Sequence, residues 1–169
     1  MTDIENLYKR YAGDVRRFVL YLCGDVVMAD EITSDTLVRA WMASDRLRQP
    51  TVKSYLFTIA RNAFIDLLRR AANHTQLDEN MPDTRISAQT QMEQSAEVHA
   101  VLAALQELPE MDRTVLLMCA LDGIPYEEIA EPLGITVGTA KVKVHRARLK
   151  LMQTRQAWRE VVPAAGARS

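Results

Sequence analysis

Apolar residues recur at helical spacing along most of the chain, and the breaks between them mark out its elements. Ile4, Leu7, Tyr8, Tyr11, Val15, Phe18, Val19 and Leu22 share one face, which predicts a helix over residues 3–23. Gly24-Asp25 ends it. Residues 28–42 predict a second helix, with Ala29, Ile32, Thr33, Thr36, Leu37, Ala40 and Trp41 on its inner face and Asp30, Glu31, Ser34 and Asp35 off it. Residues 43–52 read as a loop ended by Pro50. From Lys53 to Arg70 a long helix follows. Its apolar stripe is Leu56, Ile59, Ala60, Ala63 and Leu67, widened by Phe57, Phe64 and Leu68. Tyr55, Thr58, Asn62, Asp66 and Arg69 form a polar stripe left over for a ligand.

Periodicity is lost over residues 73–96, which are rich in Gln, Asn, Asp, Thr and Ser and read as a flexible linker with a helical end. It returns with Val98, Val101, Leu102, Leu105 and Leu108, is interrupted at Pro109, and resumes in the apolar run 111–121. Asp122-Gly123 is a turn. No strand pattern and no internal repeat occurs, so the fold class is all-α: two small helical domains joined by a flexible linker.

The last elements carry the clearest chemistry. A short amphipathic segment from Pro125 ends at Gly134, and Thr136 is a suitable N-cap for the helix that follows. That helix bears Lys141, Lys143, Arg146, Arg148 and Lys150 and no acid. On a helical wheel Ala140, Val144, Ala147 and Leu151 face inward, against Ile129, Ala130 and Leu133, whereas Lys141, Val142, His145 and Arg146 point away. Two helices around a glycine-containing turn, the second basic, describe a helix-turn-helix for a DNA major groove. Cations there neutralise phosphates or bond guanine edges, and Val142 suits a thymine methyl. The alternative reading is a basic helix whose cations only complement its dipole.

Charge sharpens this picture through its distribution, because the net charge of −1 predicts no partner. Residues 1–72 carry +2, residues 73–98 carry −4 and residues 99–169 carry +1. Within the last block the acids come first and the bases last, so one positive face is available in a near-neutral protein. The 169 residues, 48% of them hydrophobic, suffice for a packed core. Cys23 and Cys119 sit apart among apolar neighbours and read as buried free thiols. No clustered Cys/His spacing supports zinc, no catalytic constellation or phosphate loop is present, and neither a cofactor nor enzymatic activity is expected. The N-terminus is not a signal peptide and no apolar run spans a bilayer, which implies a cytoplasmic protein. Taken by themselves, the acids of the second helix read as a solvated face.

Three stretches change that reading. Ala29-Asp30-Glu31-Ile32-Thr33-Ser34-Asp35-Thr36-Leu37-Val38-Arg39-Ala40-Trp41 resembles conserved region two of the bacterial sigma-70 family. Residues 54–70, from Ser54-Tyr55-Leu56-Phe57 through Ala60-Arg61-Asn62-Ala63 to Arg69-Arg70, look like the next part of that region. Val137-Gly138-Thr139-Ala140-Lys141 through His145-Arg146-Ala147-Arg148 looks like the recognition helix of region four. Order, spacing and length are similar to the extracytoplasmic-function group, and the resemblance covers residues 4–158.

The resemblance implies residues 1–72 as region two, 73–96 as linker, 97–160 as region four and 161–169 as a disordered tail. It implies a sigma factor that binds core RNA polymerase, through its β′ and β subunits, and directs promoter-specific initiation under envelope or environmental stress. Promoter DNA and an anti-sigma factor are the other implied partners, and no membrane insertion is implied. Asp30, Glu31 and Asp35 would bind polymerase. Tyr55, Arg61, Asn62, Arg69 and Arg70 would meet the minus-ten element, with loop 43–52 cupping a flipped base against Asn62. Phe57 is expected mostly in the core and Tyr55 exposed. Thr139, Lys141, Val142, Lys143, His145 and Arg146 would meet the minus-thirty-five element. The acidic linker would thread the RNA-exit path. An anti-sigma factor is expected to wedge between the two units as they close on it. This chain departs from the family pattern at Ser34, Pro125, Pro132 and the Val142-Lys143 pair. Pro132 removes a backbone donor, which predicts a kink or an early stop in its helix. The rival function is a stand-alone helix-turn-helix regulator. Residues 29–70 discriminate, since a sensor domain has no need of an acidic face followed by an Asn-bearing helix.

Overall fold

The computed structural model describes residues 4–43, 52–75 and 88–153, which form eight α-helices and no strand. The first unit is α1 (Ile4–Cys23), α2 (Val26–Met42) and α3 (Val52–Thr75), packed pairwise on one another. Phe18 of α1 and Phe57 of α3 stack at its centre, ring centroids 4.5 Å apart and planes 12° from parallel. Such a pair contributes about 0.5–1.5 kcal/mol beyond the area it buries. The second unit is α5 (Ala96–Gln106), α6 (Glu110–Asp122), α7 (Tyr126–Leu133) and α8 (Val137–Met152), with α6 its central helix.

Local chemistry sets the boundaries. Gly24 ends α1 at φ +75°, a left-handed conformation that a residue with a Cβ adopts only at a cost. Asp25 then caps α2, its carboxylate accepting from the amides of Val27 at 2.8 Å and Met28 at 3.3 Å. α2 therefore begins at Val26, two residues before the sequence pattern predicts. Apolar spacing alone did not reveal the Asp25 cap. Trp41, expected on the inner face, is 45% exposed. Pro132 neither stops nor shortens α7, which runs to Leu133 and closes on Gly134 at φ +69°. The missing Pro132 donor removes a single bond, to the Glu128 carbonyl, and the helix still closes through the Gly134 and Ile135 amides on the Glu131 and Ala130 carbonyls. Cys23 and Cys119 are free and partly buried, and burial raises the Cys23 thiol to about 12.

The helical end expected of the linker 73–96 is present, and helix reaches into its start as well. α3 extends to Thr75, and α4 (Ala88–Glu93) packs on α2. Thr90 is fully buried and its hydroxyl accepts from the Val26 amide at 2.8 Å, satisfying one of the orphan donors at the start of α2. Residues 44–51 of the predicted loop 43–52, residues 76–87 of the predicted linker 73–96 and everything from residue 154, the predicted tail 161–169 included, lie outside the described residues.

The two units do not stand apart. One continuous apolar core runs from Leu7 and Phe18 through Leu56 and Phe64 to Leu102, Leu116, Ile129 and Val144. α1 meets α5 and α6, and α3 meets α6 and α7. Polar groups seal the join. The Arg113 guanidinium donates to the carbonyl of Leu22 and, at 3.1 Å, to that of Leu108. Gln106 donates to Leu22 at 3.2 Å. Side chains of the second unit thus satisfy carbonyls at the C-terminus of α1, and Gly24 lacks the Cβ that would come within 3.0 Å of Gln106. In this arrangement the two units pack directly on each other.

Candidate nucleic-acid and polymerase interface

α8 is the most completely specified element. Thr136 caps it, its hydroxyl oxygen accepting from the Thr139 amide at 3.0 Å and its hydroxyl donating to Thr139 Oγ1 at 2.8 Å. Such a cap stabilises a helix by about 1 kcal/mol. Ala140, Val144, Ala147 and Leu151 are buried against α6 and α7, as the helical wheel predicts. Lys141, Val142, His145 and Leu149 face outward, and Val142 is 59% exposed. Lys141 lies over the Tyr126 ring, 5.9 Å from its centroid.

Lys143 and Arg146 behave differently from their neighbours. Both turn back onto Asp112, whose side chain is only 1% exposed. Arg146 donates through Nε at 2.7 Å and Nη2 at 2.8 Å, and Lys143 through Nζ at 3.3 Å. Hydrogen bonding from Arg146, then from Lys143, outweighs burial and holds the Asp112 carboxyl below its usual range. Thr136, Gly138, Thr139, Val142, Lys143 and Arg146 line an open groove along the start of this helix. Nothing in the sequence pairs Asp112 with residues more than thirty positions later, so this contact was not foreseen.

On α3, Asn62, Arg69 and Arg70 are exposed and Tyr55 is half-buried, while Phe57 is fully buried as expected. Arg61 is not free for DNA in this arrangement. Its guanidinium holds Glu110 of α6 through two bonds of 2.7 Å each. Thr58, expected on the polar stripe, is buried and donates back to the Ser54 carbonyl.

On α2 the three acids differ in state. Asp30 is held by Arg16 at 2.7 Å and Asp35 by Arg39 at 3.1 Å. Glu31 is exposed, without an ion pair among the described residues. Val27, Val38 and Met42 are exposed as well. At helical spacing Val27, Glu31, Asp35, Val38 and Met42 make a single strip, apolar at both ends and acidic in the middle. The sequence showed the acids. It could not show that these apolar residues stay outside.

The family models for sigma-70 region 2 and sigma-70 region 4 match residues 7–74 and 99–151. The chain is 30% identical to the ECF RNA polymerase sigma factor SigL of Mycobacterium tuberculosis, over 89% of this chain and 87% of that one. The chain belongs to the extracytoplasmic-function group of sigma-70 family sigma factors. It is also 29% identical to the ECF sigma factor SigE of Mycolicibacterium smegmatis, over 89% of this chain, and spans 61% of that protein's length. Among solved structures, the sigma factor RpoE of Bartonella quintana, crystallised with the anti-sigma factor NepR, superposes with a TM-score of 0.77 at 26% identity. That match covers 90% of this chain and 96% of the other, so it extends over both units. A sigma factor is an initiation factor that gives RNA polymerase its promoter. Of its described helices none is long and apolar enough to cross a membrane.

Proposed function

We propose that this sigma factor works through one protein-facing helix and two DNA-facing ones, by binding rather than catalysis and in the cytoplasm. The strip Val27-Glu31-Asp35-Val38-Met42 on α2 docks on the clamp helices of the polymerase β′ subunit. Acids in the middle of the strip steer association with a basic partner, and the apolar ends supply desolvated contact. On α3, exposed Asn62 meets an unstacked base of the minus-ten element, with Tyr55 beside it and Arg69 and Arg70 on the backbone. Arg61 joins them once its contact with Glu110 is released. On α8, Thr139, Lys141, Val142, Lys143, His145 and Arg146 meet the minus-thirty-five element, and the second unit adjoins the β subunit.

We also propose control by an anti-sigma factor during an envelope or environmental stress. This rests on the neighbouring RpoE structure, whose partner is an anti-sigma factor. Because the units here already share a core, such a partner acts by holding them closed.

The observation that carries the reading is the pairing, in one chain, of a Thr136-capped helix exposing Val142 and His145 with the acidic-apolar strip of α2. Run-off transcription with purified core polymerase on a genomic library tests it. Promoter-specific products that vanish when Glu31 and Asp35 are both changed to Arg are the expected result. Transcription no different from that of core polymerase alone would overturn it.

A further inference from the structure

Arg146 is the only cation of α8 held by two bonds to one buried carboxylate among the described residues. Asp112 accepts from Nε and Nη2, the side edge of the guanidinium, while the Arg146 side chain remains 59% exposed. A guanidinium has five donors in a planar fork. With the side edge committed, the end edge, Nη1 and the outer proton of Nη2, is left for another acceptor. A bidentate end-on contact of this kind fits O6 and N7 of guanine in the major groove.

We propose that Asp112 is a positioning residue for promoter reading: it clamps one edge of Arg146 and thereby presents the other edge to a guanine in the minus-thirty-five element. The proposal rests on the minus-thirty-five reading of α8 given above.

Three further features support it. Asp112 itself cannot wander, since it lies in the first turn of α6, buried, and α6 packs along α8. A carboxylate in the first turn also has a favourable interaction with the helix dipole. Lys143 donates to the same Oδ1, so two cations face one anion and the groove keeps a positive charge. Val142 lies one turn before Arg146 and lines the same groove, which places an apolar contact for a thymine methyl beside the guanine contact. An unheld arginine has the reach to divide its time between the guanine and the nearest phosphate, a contact that carries no sequence information. Asp112 removes that freedom in advance, which trades general affinity for base selectivity.

The test uses holoenzyme assembled from the full chain and purified core polymerase. Promoters randomised over the minus-thirty-five segment are selected by binding and sequenced, for the wild type, Asp112→Asn, Asp112→Glu, Arg146→Ala and Asp112→Asn/Arg146→Ala. Wild-type holoenzyme is expected to prefer guanine at one position, and Arg146→Ala to abolish that preference. Asp112→Asn should reduce it by about three- to tenfold at that position only, within the discrimination a bidentate contact provides. It should also steepen the salt dependence of binding by about one ion, because a buried anion has gone. Asp112→Glu keeps the charge and moves the clamp by one methylene, so it should weaken the preference and leave the salt slope unchanged. This variant preserves the test if Asp112→Asn is too unstable to assemble. The double variant should show no greater loss of preference than Arg146→Ala. If Arg146→Ala abolishes the preference and both Asp112 variants retain it in full, the positioning role is overturned and the minus-thirty-five reading survives. If Arg146→Ala leaves a wild-type preference intact, or no preference exists, both fail.

Discussion

Glu110 grips Arg61 across the join of the two units, each carboxylate oxygen accepting one guanidinium bond of 2.7 Å. The pair links the Asn62-bearing helix α3 to the first turn of α6. Two residues on, Asp112 holds Arg146 of α8, so a single acidic turn engages cations from both α3 and α8. Both members of the Arg61–Glu110 pair are largely shielded, with side chains 21% exposed, and Thr114 donates a third bond to Glu110 at 2.8 Å. Glu110→Gln is therefore expected to weaken the closed arrangement by about 1–3 kcal/mol, the usual worth of a charge-assisted hydrogen bond at such a site. Paired fluorophores on α2 and α8 report the outcome: the variant should open more readily, and an unchanged distance distribution would show that the apolar core alone sets closure.

The same contact has a definite pH signature. Burial by itself would raise the Glu110 carboxyl, but bonds from Arg61 and Thr114 outweigh it and the net shift is downward. Asp112 is also lowered. For a carboxyl lowered in the folded state, the stabilisation is complete above its unfolded value and is lost as pH falls through the folded one. Asp122 runs the other way. Its side chain is 3% exposed, and burial raises it despite Lys53 at 3.4 Å and Arg17 at 3.3 Å. Those cations reach only Oδ1 and are themselves 39% and 49% exposed, while Oδ2 has no partner. Its contribution is present below the unfolded value and lost as pH rises through the raised one. Asp122→Asn should then melt no lower than wild type at neutral pH, and Glu110→Gln should reduce the loss of stability on acidification. Thermal melts across the carboxylate range check both.

Arg113 is a structural hub. Its guanidinium, 6% exposed as a residue, serves the Leu22 and Leu108 carbonyls and the Gln106 side chain. Burial lowers its affinity for a proton, as expected of a desolvated cation. Arg113→Met fills a similar volume and leaves the Leu108 carbonyl and the Gln106 amide oxygen short of a donor, while the Leu22 carbonyl keeps only its bond from Gln106. A loss of about 2–4 kcal/mol is expected, since each buried unsatisfied group costs roughly 1–3 kcal/mol. Urea denaturation measures it, and a loss of unfolding free energy below a tenth of that size would remove Arg113 from this role.

Polymerase affinity should rank the three acids of α2 by their freedom. Glu31 is unpaired among the described residues, while Asp35 and Asp30 are already held by Arg39 and Arg16. Glu31→Arg is expected to lower affinity for core polymerase by at least about tenfold, chiefly through slower association, because a like charge meets the basic partner. Asp30→Ala should have the smallest effect. Competition binding at two salt concentrations distinguishes this order from equal contributions.

The all-α class, the helix-turn-helix, the inward face of α8 and the Thr136 cap were legible in the sequence. Each depends on residues within a few positions of one another, where helical spacing and capping chemistry act alone. The Val142 and His145 exposure followed from the same wheel. What the tertiary structure decided are the contacts between distant residues. Asp112 with Arg146, Glu110 with Arg61 and Arg113 with the end of α1 each join residues 34 to 91 positions apart. No local pattern encodes which cation finds which carboxylate or carbonyl, because that choice is made by the packing of the helices that carry them. The acidic composition of residues 73–96 pointed to a linker, but the buried Thr90 hydroxyl bonds Val26 and draws α4 onto α2. Trp41 fits the inner face by spacing, yet it stays partly exposed on the three-dimensional surface. Periodicity assigns a residue to a side of its helix; only the neighbours that arrive from elsewhere in the chain determine whether that side is covered.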